Sequence, residues 1–384
     1  MKNLHLYHSN IVNSSRIVKE TQSLVKLGLA DEVVVYGYWK PGLKTVETLD
    51  ENVKIQRIKL PLAEFNIKPR FIDLAVKIYT TMVFGRKFIS FTRKHKFDII
   101  TVHNPLLLPF AFFRKKTQHI KVIYTPHELE AKRTSWPLIL RWLTYLVEKI
   151  YVKKTDGVSV VSEPIKNWYE TNYKINDIQI VRNIPVHPSK GLGFKKTSKF
   201  RDEFNLDSED IIFLYQGVLS QKRGVHELVS VFEQCDAKKH LVLMGYGPLE
   251  EFLISKAKIF KNIHFKPAVM PNEIIEYTSS ADVGLFFSTA PLSLSYTYSL
   301  PNKFFEYAIG KLFIAVSKNF VVQSNQIKKW HLGTVLNSDI QSLKNFVNEI
   351  SKEEINDCLN KSDSYRNNIC WSNNYSALLD LYQF

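Results

Sequence analysis

The chain of 384 residues reads as α/β, with two doubly wound domains built on parallel sheets and a ligand cleft between them. Three observations predict this. Short β-rich runs alternate with helical patterns along nearly the whole chain. Between Pro185 and Lys199 the alternation gives way to Pro, Gly, Ser and Lys, the composition of a linker. A second alternating series follows. Such alternation marks a parallel sheet covered on both faces, and the length suits two domains. The first domain is expected over residues 1–187, the linker over 188–199, and the second domain from 200 onward.

In the first half the expected strands are Leu4–His8, Glu32–Tyr38, Val53–Lys59, Asp98–His103, Lys121–His127, Gly157–Ser162 and Ile178–Asn183. Helical periodicity fills Arg16–Leu27, Phe71–Lys94, Leu106–Lys116, Trp136–Val152 and Pro164–Tyr173, while Val53–Lys59 follows its predecessor through a loop. In the second half the strands are Ile211–Gln216, Leu241–Met244, Ile263–Lys266, Val283–Phe287, Phe313–Val316 and Thr334–Leu336. Helices after Gly224, Leu249, Pro271 and Asn302 separate them. No repeat of fixed period is present.

Bulk properties narrow the function. The longest unbroken apolar stretch, Pro105–Phe113, is far short of the roughly 20 residues that span a bilayer. The N-terminal residues read as a strand leading to a polar turn. Three cysteines, Cys235, Cys358 and Cys370, are too few and scattered for a disulfide frame. These features point to a reducing, cytoplasmic setting. Net charge is +15, and between Phe65 and Lys154 18 Lys and Arg stand against 5 Asp and Glu, interleaved with aromatics such as Phe84, Phe88, Trp136 and Trp142. That face suits an anionic membrane surface. No zinc-finger, RRM or KH signature supports nucleic acid.

The most informative stretch is Ser299 to Gly310, SLPNKFFEYAIG. A turn with Ser299, Leu300, Pro301 and Asn302 runs into a helix bearing Lys303 and Glu306. Unpaired N–H groups and the dipole make a helix start an anion site. Four residues on from Asn302, about 6 Å along the axis, a carboxylate meets what lies one ester bond from a diphosphate, a ribose diol. The bland alternative is a capped helix with a solvated Glu. Gly217-Val-Leu-Ser-Gln-Lys-Arg-Gly224 follows a strand and opens a helix, with Lys222 and Arg223 placed as counter-charges to a diphosphate. Gly245-Tyr-Gly247-Pro248 also ends a strand, with Pro248 suited to the first helical position, and Gly217, Gly245 and Gly247 stand as donor-binding candidates. Gly191 and Gly193 follow no strand and read as linker.

His127 and Glu128 end the expected strand Lys121–His127, where a His–Glu pair can hydrogen-bond sugar hydroxyls. His103 and Asn104 occupy the corresponding end of the preceding strand. His103 reads first as a structural histidine; with Asn104 and Glu128 it also stands as an acceptor-side candidate. There is no HExxH spacing and no Cys/His cluster, so no metal is expected.

The order YQG…KRG, LVLMGYGPLEEFL, NIHFKPAVMPNEIIEYTSSADVGLFFS and SLPNKFFEYAIGK resembles the nucleotide-binding half of family 4 glycosyltransferases, which adopt the GT-B fold. TVHNPLLLPF, VIYTPHELEAKR, VSVVSEPI and IVRNIPV resemble the other half. CWSNNYSALLDLY is similar to the closing segment that in this family crosses back onto the N-terminal domain. The resemblance therefore implies an acceptor-binding domain 1–187, a nucleotide-sugar-binding domain 200–365 and a returning C-terminal helix 366–384. It implies that Glu306 holds the donor ribose and Arg223 contacts the diphosphate. Leu300–Lys303 would face donor phosphate and sugar, and His127 would touch the donor sugar. Ser14 and Ser15 stand where many members have a Gly-Gly turn near the phosphates. Lys266 to Val269, with Pro267, corresponds to the stretch beside the base. Two positions depart from the pattern: Tyr298 replaces a second glutamate, and Val218 an arginine after the first glycine of the phosphate loop.

The activity implied is transfer of a sugar from a nucleotide-sugar donor, such as a UDP- or GDP-sugar, to a polyprenyl-diphosphate-linked or growing saccharide acceptor. Retention at the anomeric carbon is expected, with no cofactor, in cell-surface polysaccharide assembly at the inner face of the membrane. Two other readings stand beside it: a nucleotide-sugar 2-epimerase of the same architecture, and a non-catalytic transferase-like partner subunit.

Overall fold

The computed structural model describes residues 1–12, 14–61, 70–134, 136–186 and 194–383; of residues 70–73 and 222 it describes the backbone. The chain divides into two compact units, Met1–Arg182 with Ser372–Phe384, and Asn183–Trp371. The sequence puts these boundaries at 187 and 366. Most of the expected linker 188–199, including Gly191 and Gly193, lies outside the described residues.

Among the described residues the first unit carries an eight-stranded sheet. Its strands are β1 (Lys2–Leu6), β2 (Glu32–Tyr38), β3 (Val46–Asp50), β4 (Val53–Ile58), β5 (Ile99–Val102), β6 (Lys121–Tyr124), β7 (Gly157–Val160) and β8 (Ile178–Ile180). The order is β3-β4-β2-β1-β5-β6-β7-β8, parallel throughout except where β3 runs antiparallel to β4. Central strands such as Val33–Tyr36 and Ile99–Val102 are buried continuously, as a sheet covered on both faces requires.

Two expectations are corrected here. The loop expected before Val53 holds β3, a short half-polar edge strand whose acidic residues hide it from propensity. And β6 stops at Tyr124, not His127: the Thr125 N–H still bonds to the Val102 carbonyl at 2.9 Å, but Pro126 has no N–H to continue the ladder. The C-terminal helix Tyr375–Tyr382 belongs to this unit. Its Tyr382 hydroxyl lies 3.0 Å from Thr101 Oγ1. The Asn374 side chain pairs with both the N–H and the carbonyl of Arg182, each at 2.9 Å.

Among the described residues the second unit holds a six-stranded parallel sheet of β9 (Ile211–Val218), β10 (Lys239–Tyr246), β11 (Ile263–Pro267), β12 (Val283–Phe286), β13 (Phe313–Ser317) and β14 (Gly333–Leu336). The order is β11-β10-β9-β12-β13-β14. Along β9, Ile211, Phe213 and Tyr215 join one apolar cluster while Ile212 and Leu214 join the other, so both faces are packed. Strand order reverses between β9 and β12, and in the first sheet between β1 and β5. Where it reverses, the connecting helices depart to opposite faces and leave a crevice at the strands' carboxyl ends. Those two points locate the candidate sites. Among the described residues no helix is long and apolar enough to cross a membrane.

Candidate functional site

At the reversal in the second unit, β9 ends in Gln216 and Gly217. Gly217 has φ +125, a conformation that disfavours a side chain, and among the described residues nothing lies within 4 Å of where a Cβ would stand. Space is therefore open beside this strand end. Gly245 and Gly247, expected to bind donor, also meet neighbouring backbone. A Cβ on Gly245 would lie 1.9 Å from the Gly217 carbonyl oxygen, and one on Gly247 2.4 Å from that of Leu219. Backbone already occupies their free sides, so these glycines let two turns pass closely. Pro248 is corrected: the helix begins at Glu250, whose Oε1 accepts the Gly247 N–H at 2.7 Å.

The helix Asn302–Ile309 starts after Pro301, and its Lys303 and Glu306 side chains reach residues at the end of β9. Lys303, in its first turn, holds its ammonium 4.1 Å from the Tyr215 ring and 4.5 Å from the Phe286 ring. Desolvation and then the nearby Arg223 push the Lys303 pKa down to about 7, with Glu306 opposing. The Arg223 guanidinium lies over the Tyr296 ring at 4.3 Å. Glu306, one turn further on, is half-buried, and its Oε2 accepts a 2.5 Å hydrogen bond from Gln216 Nε2. Arg223, Lys303, Glu306 and Gly217 are thus brought together: two cations, a carboxylate and open backbone.

The remaining donor candidates lie around this group. Ser299 donates its hydroxyl to the Tyr296 carbonyl at 2.9 Å, and Leu300 is buried in the core. Pro267 is exposed at the end of β11 opposite Gly245, and Val269 packs against the core. The side chain of Lys222 lies outside the described residues. Ser14 and Ser15 begin the helix Ser15–Lys26 and belong to the first unit. Val218 is exposed at the strand end, and Tyr298 closes the short helix Leu294–Tyr298.

At the reversal in the first unit, imidazoles take the place of glycines. His5 Nδ1 lies 3.0 Å from His103 Nε2, and His103 Nδ1 lies 2.6 Å from Thr125 Oγ1 and 3.1 Å from His127 Nε2. Burial lowers the His5 pKa to about 3 and holds His103 and His127 well below the usual range, so the chain is neutral. His103 and His127 line a cavity of ≈ 460 Å³ with Tyr7, Asn104, Glu130 and Trp136. Glu128 does not line it and lies 3.4 Å from Arg133 Nε. Its neighbour Glu130 does; burial raises the Glu130 pKa to about 7 against the pull of Arg133, whose Nη1 is 3.0 Å away. Potential metal-ligand atoms of His5, Glu20 and His103 lie within 4.8 Å of one another, but Arg16, its Nε 3.7 Å from Glu20 Oε2, already gives that carboxylate a cation.

Sequence reasoning missed Gln216, Thr278, Tyr307 and Glu130. One signal was available: Gln216 is a lone polar residue in the apolar run IIFLYQG, and a polar group in a buried strand requires a partner.

The chain resembles known proteins in sequence and in fold. The model described as Glycosyltransferase Family 4 matches residues 22–184, and that described as Glycosyl transferases group 1 matches residues 196–290. No curated protein sequence matches the chain significantly. Among solved structures, sucrose-phosphate synthase from Thermosynechococcus elongatus is 15% identical with a TM-score of 0.69, over 100% of this chain and 95% of that one. WaaG, a glycosyltransferase involved in lipopolysaccharide biosynthesis, is 12% identical with a TM-score of 0.66, over 100% of both chains. HepE from Anabaena, in complex with UDP and glucose, is 14% identical with a TM-score of 0.62, over 100% of this chain and 95% of that one. Matched across both halves and along its whole fold, the chain belongs to the family 4 glycosyltransferases of GT-B fold.

Proposed function

We propose that this glycosyltransferase moves a hexose-type sugar from a UDP- or GDP-sugar, bound by the second unit, to a lipid-linked or growing saccharide acceptor bound by the first. The observation that carries the reading is the meeting of Arg223, Lys303 and Glu306 beside the open backbone of Gly217. As the bond from the anomeric carbon to the β-phosphate oxygen breaks, negative charge develops on the diphosphate. Arg223, Lys303 and the N–H groups at Asn302 and Lys303 supply fixed counter-charge without a metal. Glu306 clasps the ribose hydroxyls. The acceptor oxygen bonds to the anomeric carbon on the face the diphosphate leaves, and its proton passes to the departing phosphate, so configuration is retained. HepE's complex with UDP makes uridine diphosphate the first donor moiety to test.

For the acceptor, the first-unit cavity combines aromatic walls (Tyr7, Trp136) with neutral imidazoles and Asn104, a lining suited to a sugar ring. Leu138, Ile139 and Trp142 are exposed on the helix Leu138–Tyr151 within the basic stretch, which favours an anionic membrane surface and a polyprenyl-diphosphate carrier. Cell-surface polysaccharide assembly at the inner membrane face is the setting this chemistry fits.

Glu306→Ala and Arg223→Ala are each expected to lower turnover more than tenfold with the fold intact, measured as sugar transfer beside a thermal melt; near-normal rates in both remove the assignment. Vesicles containing anionic lipid should float the protein at low salt and release it at high salt. Binding that ignores salt would refute the membrane face.

A further inference from the structure

Glu306 does not reach its position unaided. The next residue, Tyr307, is fully buried, and its hydroxyl donates to the Leu214 carbonyl and accepts the Gln216 N–H, both at 3.1 Å. Its ring occupies a notch left by Gly284 on β12, where a Cβ would stand 2.4 Å from the ring. These contacts fix the helix Asn302–Ile309 against the end of β9 and bring Glu306 opposite Gln216. The Gln216 side chain, 5% exposed, is itself held: Thr278 Oγ1, which also reaches the Ile274 carbonyl at 2.7 Å, lies 2.8 Å from its Oε1. An ionised Glu306 accepts only from an N–H, so the amide must turn Nε2 toward it and Oε1 toward the Thr278 hydroxyl. The amide therefore has one satisfied orientation.

We infer that Gln216, locked by Thr278, is a positioning residue that holds the Glu306 carboxylate in the orientation that grips the donor ribose. The inference rests on the donor-site reading above. A buried hydrogen bond to a carboxylate with one fixed partner restricts the rotation of that carboxylate, and a ribose diol is recognised only by oxygens held in place. Gln216 touches no substrate in this role; it acts through Glu306.

The test is calorimetric titration of the full chain with UDP, GDP and 2′-deoxy-UDP, with thermal melts confirming that each variant folds. Gln216→Leu should weaken UDP about tenfold, the value of a hydrogen bond to a charged group, and should reduce the preference for UDP over 2′-deoxy-UDP. Thr278→Val, which leaves the amide in place but unlocks it, should shift both in the same direction by less. Gln216→Glu gives the more specific signature. Two carboxylates at this separation share one proton, so the variant should bind UDP about tenfold more weakly than wild type at pH 8 and match it near pH 5.5 as the shared proton restores the contact. Lys303 on the same helix, Arg223 after β9, and Tyr215, Tyr296 and Tyr307 also face this point and are the same residues in variant and wild type, so the two are compared as a ratio at each pH. Glu306→Gln separates the two claims. If wild type binds neither UDP nor GDP, or Glu306→Gln binds as wild type does, the donor-site reading falls and takes the inference with it. If Glu306→Gln loses binding while Gln216→Leu and Gln216→Glu keep wild-type affinity and ribose preference, the inference alone is overturned.

Discussion

In the first unit the strand ends at the reversal carry imidazoles, His5 feeding into His103 and His127; in the second they carry glycines, Gly217 open and Gly245 pressed against it. The two sheets otherwise follow one plan, each with its first strand flanked by its second and by the strand that reverses the order. The crevice is thus a property of the topology, and its chemistry a property of a few residues at strand ends. Neutral imidazoles around a cavity suit hydroxyls, whereas bare backbone beside Arg223 and Lys303 suits a diphosphate.

The sharpest way to break this comparison is at the glycines. Gly245→Ala forces a Cβ against the Gly217 carbonyl at an unfavourable φ and should cost about 4 kcal/mol through strain and overpacking together, read by denaturant unfolding. Gly217→Ala meets open space and should stay folded while weakening UDP. If both variants melt alike, Gly217 is merely structural.

The imidazoles come next. With His5 lowered to about 3 in the folded protein, its unfolded form takes up a proton below about pH 6.5 that the folded form refuses. Stability is therefore complete above that pH and falls as pH falls, by about 3 kcal/mol for His5 alone at pH 4. Thermal melts across this range should show a steeper acid loss in wild type than in His5→Gln; equal slopes would place the cause elsewhere. The smallest effect belongs to Lys303. Its amine loses charge as pH rises through about 7, so UDP affinity should fall about fivefold between pH 6 and pH 8. Lys303→Met should weaken binding and flatten that part of the profile, and an unchanged slope would dismiss the lysine as the titrating group.

How much of this is legible in the sequence depends on the range of the interaction. Strands such as Val33–Tyr36 and Ile211–Tyr215 declare themselves because a parallel sheet buried on both faces needs unbroken apolar runs. The helix start at Asn302 and the place of Glu306 are equally local, set by Pro301 and the helical repeat. The role of Gln216 is not, since its partners Thr278, Glu306 and Tyr307 meet it only through the sheet order. The spacing Gly245-x-Gly247 is incomplete for a related reason: spacing shows that a side chain is unwelcome, but not that another stretch of backbone lies beside it. The edge strand β3 escapes because half its residues face water. Glu130 escapes because only the fold shows that it, and not Glu128, lines the cavity.

The membership of Ser372–Phe384 in the same unit as Met1 bears on how the molecule is made. Translation delivers the whole of Asn183–Trp371 before it delivers Tyr382 and Asn374. Until those two leave the ribosome, the Thr101 hydroxyl has only Asn3 of its two partners, and the Arg182 main chain lacks the Asn374 side chain. The half that emerges first is consequently sealed last, and a nascent chain arrested before Ser372 should hold a protease-resistant second unit beside a first unit that is still easily cut.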